Sequence, residues 1–263
     1  MTVLLGVPAC PGSPDSLEHH EPARLRAGAV VAELARRGVP ALDLGDVPGL
    51  PAAVRVPRAP GAMRLTAEVL AQAERVRDAV WAALVEHGPP LVVLGGDCSL
   101  VLGALPGTRD ALGEVGLIWL GRYANANVPA TSPSGDVAGM ALALLRGEGD
   151  PQLVAALGAP LVDAGAVRLV ARDLDPGEDA VLGRCGLAPV ELDALEPPPG
   201  PLYVAIECGV LDAPGGPPRE ALEVALRRLA AGRQAVVVAL TGTSPARVSP
   251  AGAAALVAAA VGA

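Results

Sequence analysis

Three features of the chain predict an α/β protein with a mainly parallel sheet. Seven short apolar runs recur, helical stretches with charged outer faces lie between them, and small polar residues gather where the runs end. Parallel strands covered on both faces read as unbroken apolar runs, as these do, whereas half-exposed antiparallel strands alternate. Helices then fall on both sides of the sheet, giving a three-layer, doubly wound α/β/α sandwich.

The elements follow in order. TVLLGV at 2–7 is the first strand, and 22–37 has amphipathic helical spacing. VPALDL at 39–44 is the second strand. Residues 66–87 form a long helix that His87-Gly88-Pro89-Pro90 brings to an end, with glycine at the cap and proline beyond. LVVL at 91–94 runs into Gly-Gly-Asp-Cys-Ser. GLIWL at 116–120 precedes a polar stretch and a helix over 137–146. VRLVA at 167–171 and LYVAI at 202–206 are strands, 219–231 is a helix, and AVVVAL at 235–240 is the last strand. The Ala-rich end, AGAAALVAAAVGA, reads as a packed helix too short to cross a bilayer. Pro-rich 48–62 and 195–201 read as surface loops. No solenoid period is present, so 1–263 is read as a single domain.

Composition narrows the partners. The chain is 51% apolar and 18% charged, with a net charge of −8. That balance leaves much surface to bury and disfavours nucleic acid and anionic membrane surfaces. All 20 basic residues are arginine, and Phe and Lys are absent, a bias that fits a GC-rich genome. Cys10, Cys98, Cys185 and Cys208 match neither a zinc spacing nor a disulfide framework. The first residues lack a basic stretch followed by an apolar core, so no signal peptide is expected and a cytoplasmic location is the default.

Three strand ends carry chemistry. LVVLGGDCSL (91–100) places Asp97, Cys98 and Ser99 after a strand. LIWLGRYANANVPATSPSGD (117–136) opens as a buried strand and turns polar. LYVAIECGVLDAP (202–214) ends on Glu207, Cys208, Gly209 and Asp212. Alternation along a strand should turn Gly121, Tyr123 and Asn125 one way, with Glu207 and Gly209 sharing a face and Cys208 turned away. The carboxyl ends of parallel strands are where α/β proteins keep their ligand sites.

At these residues the chain resembles the ureohydrolase family of arginases and agmatinases. LVVLGGDCSLVLGAL, GLIWLGRYANANVPATSPSGDVAGM, VRLVARDLDPGE and VAIECGVLDAP match its motifs in order and spacing across nearly the whole chain. The resemblance implies the arginase-like sandwich, usually assembled as trimers or hexamers. It also implies two Mn²⁺ ions held by two His and four Asp, which activate a hydroxide for attack on a guanidinium carbon. Carried onto this chain, the six ligand positions are Cys98, Gly121, Tyr123, Asn125, Glu207 and Gly209, and only Glu207 is an obvious hard-metal ligand. The shuttle histidine position is Ala138, and the guanidinium-gripping acid falls at Gly242. His19, His20 and His87 lie outside these motifs and read as surface or capping residues.

The expectation from sequence is therefore a family member without the manganese pair or any other cofactor, and not a ureohydrolase. It is a pseudoenzyme that binds a small ligand of amino-acid type or supports an assembly, as a homo-oligomer or with an active paralogue. The alternative is a metal-independent enzyme doing acid/base chemistry on a small or natural-product-like substrate. Glu207, Tyr123 and Cys98 are its catalytic candidates, with Cys98 read either as a nucleophile or as a buried structural thiol. Asn125, Asn127, Ser132, Ser134 and Asp136 form the ligand-binding wall, since in arginases this stretch meets the amino-acid end of the substrate. Asp97, Asp43, Asp46 and the acidic run at 172–175 read as structural, turn and capping residues.

Overall fold

The computed structural model describes residues 1–13, 22, 25–26, 30–50, 63–211, 216–232, 235–243 and 248–262. His19, His20, Asp212 and most of the Pro-rich 48–62 segment lie outside the described residues. Seven strands form one sheet: β1 (Thr2–Val7), β2 (Ala41–Asp46), β3 (Leu91–Gly95), β4 (Gly116–Tyr123), β5 (Val167–Asp173), β6 (Leu202–Glu207) and β7 (Ala235–Thr241). Their order across the sheet is β2-β1-β3-β7-β6-β4-β5, and every neighbouring pair is parallel. All seven runs read from the sequence are strands.

Both faces are covered. On one lie α2 (Thr66–His87), α3 (Val101–Leu112), α4 (Ala141–Leu145), α5 (Pro151–Leu157) and α6 (Glu178–Cys185), packed on Val3, Leu5, Trp119 and Tyr203. The other face carries α1 (Val30–Arg36), α7 (Arg219–Gly232) and α8 (Pro250–Ala260), packed on Leu4, Ile118, Val204 and Leu240. Odd and even strand positions thus feed separate cores, as a two-faced pleat requires. The fold is the three-layer α/β/α sandwich expected. β2, an edge strand, is open to solvent along much of its length.

Local sequence explains the elements. α2 ends where Gly88, at φ 71°, lets its N–H turn back onto the Leu84 carbonyl. α8 starts with Ser249 capping the Gly252 N–H and Pro250 at its first position. Residues 252–260 of α8 are buried all round, which suits its Ala-rich make-up. α3 is not among the helices read from the sequence, and Pro106 and two glycines lower its helix propensity. Those glycines are contact points with α2: a Cβ on Gly103 would lie 2.9 Å from the Ala73 Cα, and one on Gly107 would press on the Arg77 backbone. Close backbone approach, rather than helix propensity, selects glycine at both. No described helix is long and apolar enough to cross a membrane.

After β4 the chain leaves over the α4–α5 face, and after β6 it leaves over the α7 face. The crevice between these two adjacent strand ends is a topological switch point, the place where open α/β sheets bind ligands.

Candidate functional site

Strand register builds a row across the carboxyl edge. Gly121 pairs with Ala171, Glu207 with Thr241, and Glu207 lies one step beyond the Leu120–Ile206 pair. Glu207 is the one charged side chain among these four, and it is half-buried. Its Oε2 accepts the Arg122 N–H at 3.1 Å and its Oε1 accepts the Gly209 N–H at 2.7 Å. The carboxylate is thus held by amides from both strand ends. Gly209 sits in a 3₁₀ turn over Cys208–Leu211, so alternation stops at Glu207 and the glycine folds back onto the acid. A Cβ at 209 would lie 2.8 Å from Oε2 and closer still to Oε1, so the carboxylate fills the space a side chain would take. Cys208 is fully buried in the opposite core, as alternation predicts.

Tyr123 closes β4 and is 40% exposed. The Arg122 guanidinium leans over its ring, 5.1 Å from the centroid, and its Nε meets Asp173 at 2.9 Å. Asp173 holds the Arg122 pKa above its ordinary value. Asn125 departs from the expected shared face with Tyr123. It lies past the strand at φ 53°, and its Nδ2 donates to the Ala138 carbonyl at 2.8 Å. Left-handed backbone ends the alternation there; Asn is among the residues that tolerate it. Its Oδ1 is buried without a hydrogen-bond partner.

The wall is tied into a network. Asn127 donates Nδ2 to Asp175 at 2.8 Å and accepts the Thr131 hydroxyl at 2.9 Å. Ser132 Oγ accepts from the Gly135 N–H and Ser134 Oγ from the Asp136 N–H. Asp136 pairs with Arg64, which is almost fully buried, through Nε at 2.8 Å and a second guanidinium nitrogen. Glu178, fully buried at the start of α6, accepts the N–H groups of Ala126 and Asp175, each at 2.8 Å. Burial raises its pKa while these amides pull it back.

Cys98 is buried, with Sγ 3.3 Å from the Thr241 hydroxyl. Asp97 beside it accepts the Ser99 N–H on one oxygen and the Ser13 N–H on the other, both at 2.7 Å. Burial pushes its pKa up to about 6 against those donors.

The structure therefore brings Glu207, Tyr123, Asn125 and the 127–136 wall to one edge, with Cys98 beneath it. It adds Arg64, Asp173, Asp175, Glu178 and Thr241, which sequence reading had treated as turn residues or passed over. The signal was present in RDLDPGE, where an acid three residues beyond Asp175 opens a helix and can turn inward onto the loop. Among the described residues no group of three or more His, Cys, Asp and Glu stands together to hold a metal ion.

A sheet of this order, with its polar groups at the carboxyl switch point, defines the class as an arginase-like α/β protein. The family model described as the arginase family matches residues 2–262, and the chain belongs to that family. It is 31% identical over 186 residues to the arginase of Bacillus caldovelox, covering 70% of this chain and 62% of that protein. It is 33% identical over 168 residues to the arginase of Bacillus subtilis (strain 168), covering 63% of this chain and 55% of that one. These matches span less than two thirds of the relatives' lengths. The native structure of the Bacillus caldovelox arginase superposes with a TM-score of 0.83 at 25% identity, over 99% of this chain and 97% of that one. The proclavaminate amidino hydrolase of Streptomyces clavuligerus shares the fold, with a TM-score of 0.65 at 16% identity over 99% and 89%.

These relations correct the functional expectation. Six altered ligand positions led to a chain outside the ureohydrolases, either a pseudoenzyme or a metal-independent enzyme. Identity of 31–33% to arginases over 63–70% of the chain, with the same fold from end to end, overturns the reading of a chain set apart from the arginases. The expectation failed because it weighed six side chains against the rest of a chain that resembles arginases throughout.

Proposed function

We propose that the chain has an arginase-like function, taking a small amino acid with a guanidinium end at the carboxyl edge of the sheet and releasing urea. Its sequence relation to arginases over 63–70% of its length carries this reading. The polar crevice between β4 and β6 gives the reaction a place. Glu207, Tyr123 and Cys98 stand at the reacting end. Asn125, Asn127, Ser132, Ser134 and Asp136 form the wall for the amino-acid end, where Glu178 and Arg64 hold the loop in shape. Asp136 is paired with Arg64, so its part is to orient the wall.

The reading includes a homo-oligomer, trimer or hexamer. An open groove of about 730 Å³ beside edge strand β5, with Val224 of α7 64% exposed on its rim, supports it. It also includes a cytoplasmic location, which the four buried cysteines, none of them in a disulfide, fit. The test is urea release from arginine and from agmatine by the full chain supplied with Mn²⁺. Saturable release with arginine is expected; no urea from either compound would overturn the reading.

A further inference from the structure

We propose that Gln72 is a positioning residue, a buried amide on α2 that braces the carboxyl edge of the sheet through Ser99 and Asp97. Its bearing on arginine rests on the arginase-like reading, while the brace itself rests on geometry. The other buried residues of α2 are Val69, Ala73, Val76, Val80, Ala83 and Leu84, all apolar. Gln72 stands among them with no exposed surface, as does Ser99 beyond the end of β3. Its Nε2 donates to the Ser99 hydroxyl oxygen at 2.9 Å. An amide nitrogen can only donate, so Ser99 accepts there and keeps its one proton for Asp97, whose ionised form that contact favours. The other amide atom, Oε1, has no partner among the described residues. A buried amide satisfied on one side alone costs stability, and an apolar side chain of like shape does not. Stability therefore gives no reason for glutamine here, and the Ser99 contact does.

From Ser99 the contacts run on to the ligand wall. The Ser99 and Ser13 N–H groups hold the two Asp97 oxygens, both at 2.7 Å. A Cβ on Gly12 would lie 2.6 Å from the Ser99 Cβ and 2.9 Å from Asp97 Oδ1, so the 10–13 loop seats directly on this pair. The Gly12 carbonyl accepts the Ala138 N–H at 3.0 Å, and the Ala138 carbonyl accepts Asn125 Nδ2 at 2.8 Å. Cys98 is carried on the same short turn as Ser99. A chain of polar contacts thus joins α2, in the core of one face, to Asn125 on the wall. Without its amide partner Ser99 can turn, and the Asp97 hold on the 10–13 loop weakens.

Gln72→Met keeps the volume and removes the donor. Three measurements on Gln72→Met, Ser99→Ala and the double variant test the brace. They are the melting temperature, hydrogen exchange at the Ser13 amide, and the kinetics of urea release from arginine with Mn²⁺ supplied. Gln72→Met should melt no more than about 4 °C below wild type. Its Ser13 amide should exchange about 10-fold faster, the size of one weakened hydrogen bond. KM for arginine should rise about 3- to 10-fold with kcat within about twofold, because the wall holds substrate and does not react with it. Ser99→Ala should give the same changes, and Gln72→Met added to it should change nothing more. Ser13 protection or KM left as in wild type by Gln72→Met would overturn the inference. So would effects that add in the double variant, or a larger fall in melting temperature, which would make the amide structural. No urea from wild type, with the Ser13 effect present, overturns the arginase-like reading and leaves the brace supported.

Discussion

Replacing Asp97 by asparagine gives a stability difference that depends on pH with a known sign. The Asp97 carboxyl is buried, and its pKa rises from the ordinary 3.8 to about 6, mainly because burial penalises the charged form. A carboxyl raised on folding stabilises the native state fully below its unfolded pKa, and that contribution is lost as pH climbs through the folded value. At about 1.4 kcal/mol per pH unit, the rise corresponds to about 3 kcal/mol. The carboxamide introduced by Asp97→Asn does not titrate, so the stability of wild type relative to the variant should fall by about 2.4 of those 3 kcal/mol between pH 4 and pH 7. A further offset does not vary with pH. The carboxamide offers one acceptor oxygen, so either the Ser13 or the Ser99 N–H loses its partner, at about 1–3 kcal/mol. Urea denaturation of both proteins at half-unit pH steps measures both quantities, and subtraction cancels every other titrating group. Parallel stability curves, with a difference constant to about 0.5 kcal/mol, would refute the reasoning.

Other perturbations follow from the same geometry. Glu178→Ala strands the Ala126 and Asp175 N–H groups and should cost about 1–3 kcal/mol for each, read by denaturant unfolding. Arg64→Met leaves Asp136 charged in a part-buried loop and should cost about 3–5 kcal/mol, with recovery when Asp136→Asn is added. Gly103→Ala pushes a methyl into the Ala73 backbone and should lower stability by about 1–3 kcal/mol, although alanine is the better helix former. Light scattering should give a trimer or hexamer mass, and a monomer at micromolar concentration would contradict the oligomer.

Much of the fold was legible because its signals are short-range. Each apolar run became a strand, and α2 matched its forecast at both ends, Thr66 and His87, since periodicity and the Gly88 cap agree. α3 was missed because Gly103 and Gly107 answer to a neighbouring helix, which local sequence cannot show. The strand ends were legible as a group, since Glu207, Tyr123 and the 127–136 loop lie next to recognisable strands. The partners were not. Arg64 and Asp136 are 72 positions apart, and Asn127 and Asp175 are 48 apart, so only the fold brings them together. Asn125 was placed on the wrong face because alternation was carried past Tyr123, where the backbone turns left-handed.

The most direct test is a crystal structure of the full chain with arginine bound. The expected result is a guanidinium within hydrogen-bond reach of Glu207, with the amino-acid end against Asn127 and Ser132. Arginine seated away from the carboxyl ends of β4 and β6, or a crevice that stays free of it at saturating concentration, would contradict the proposal.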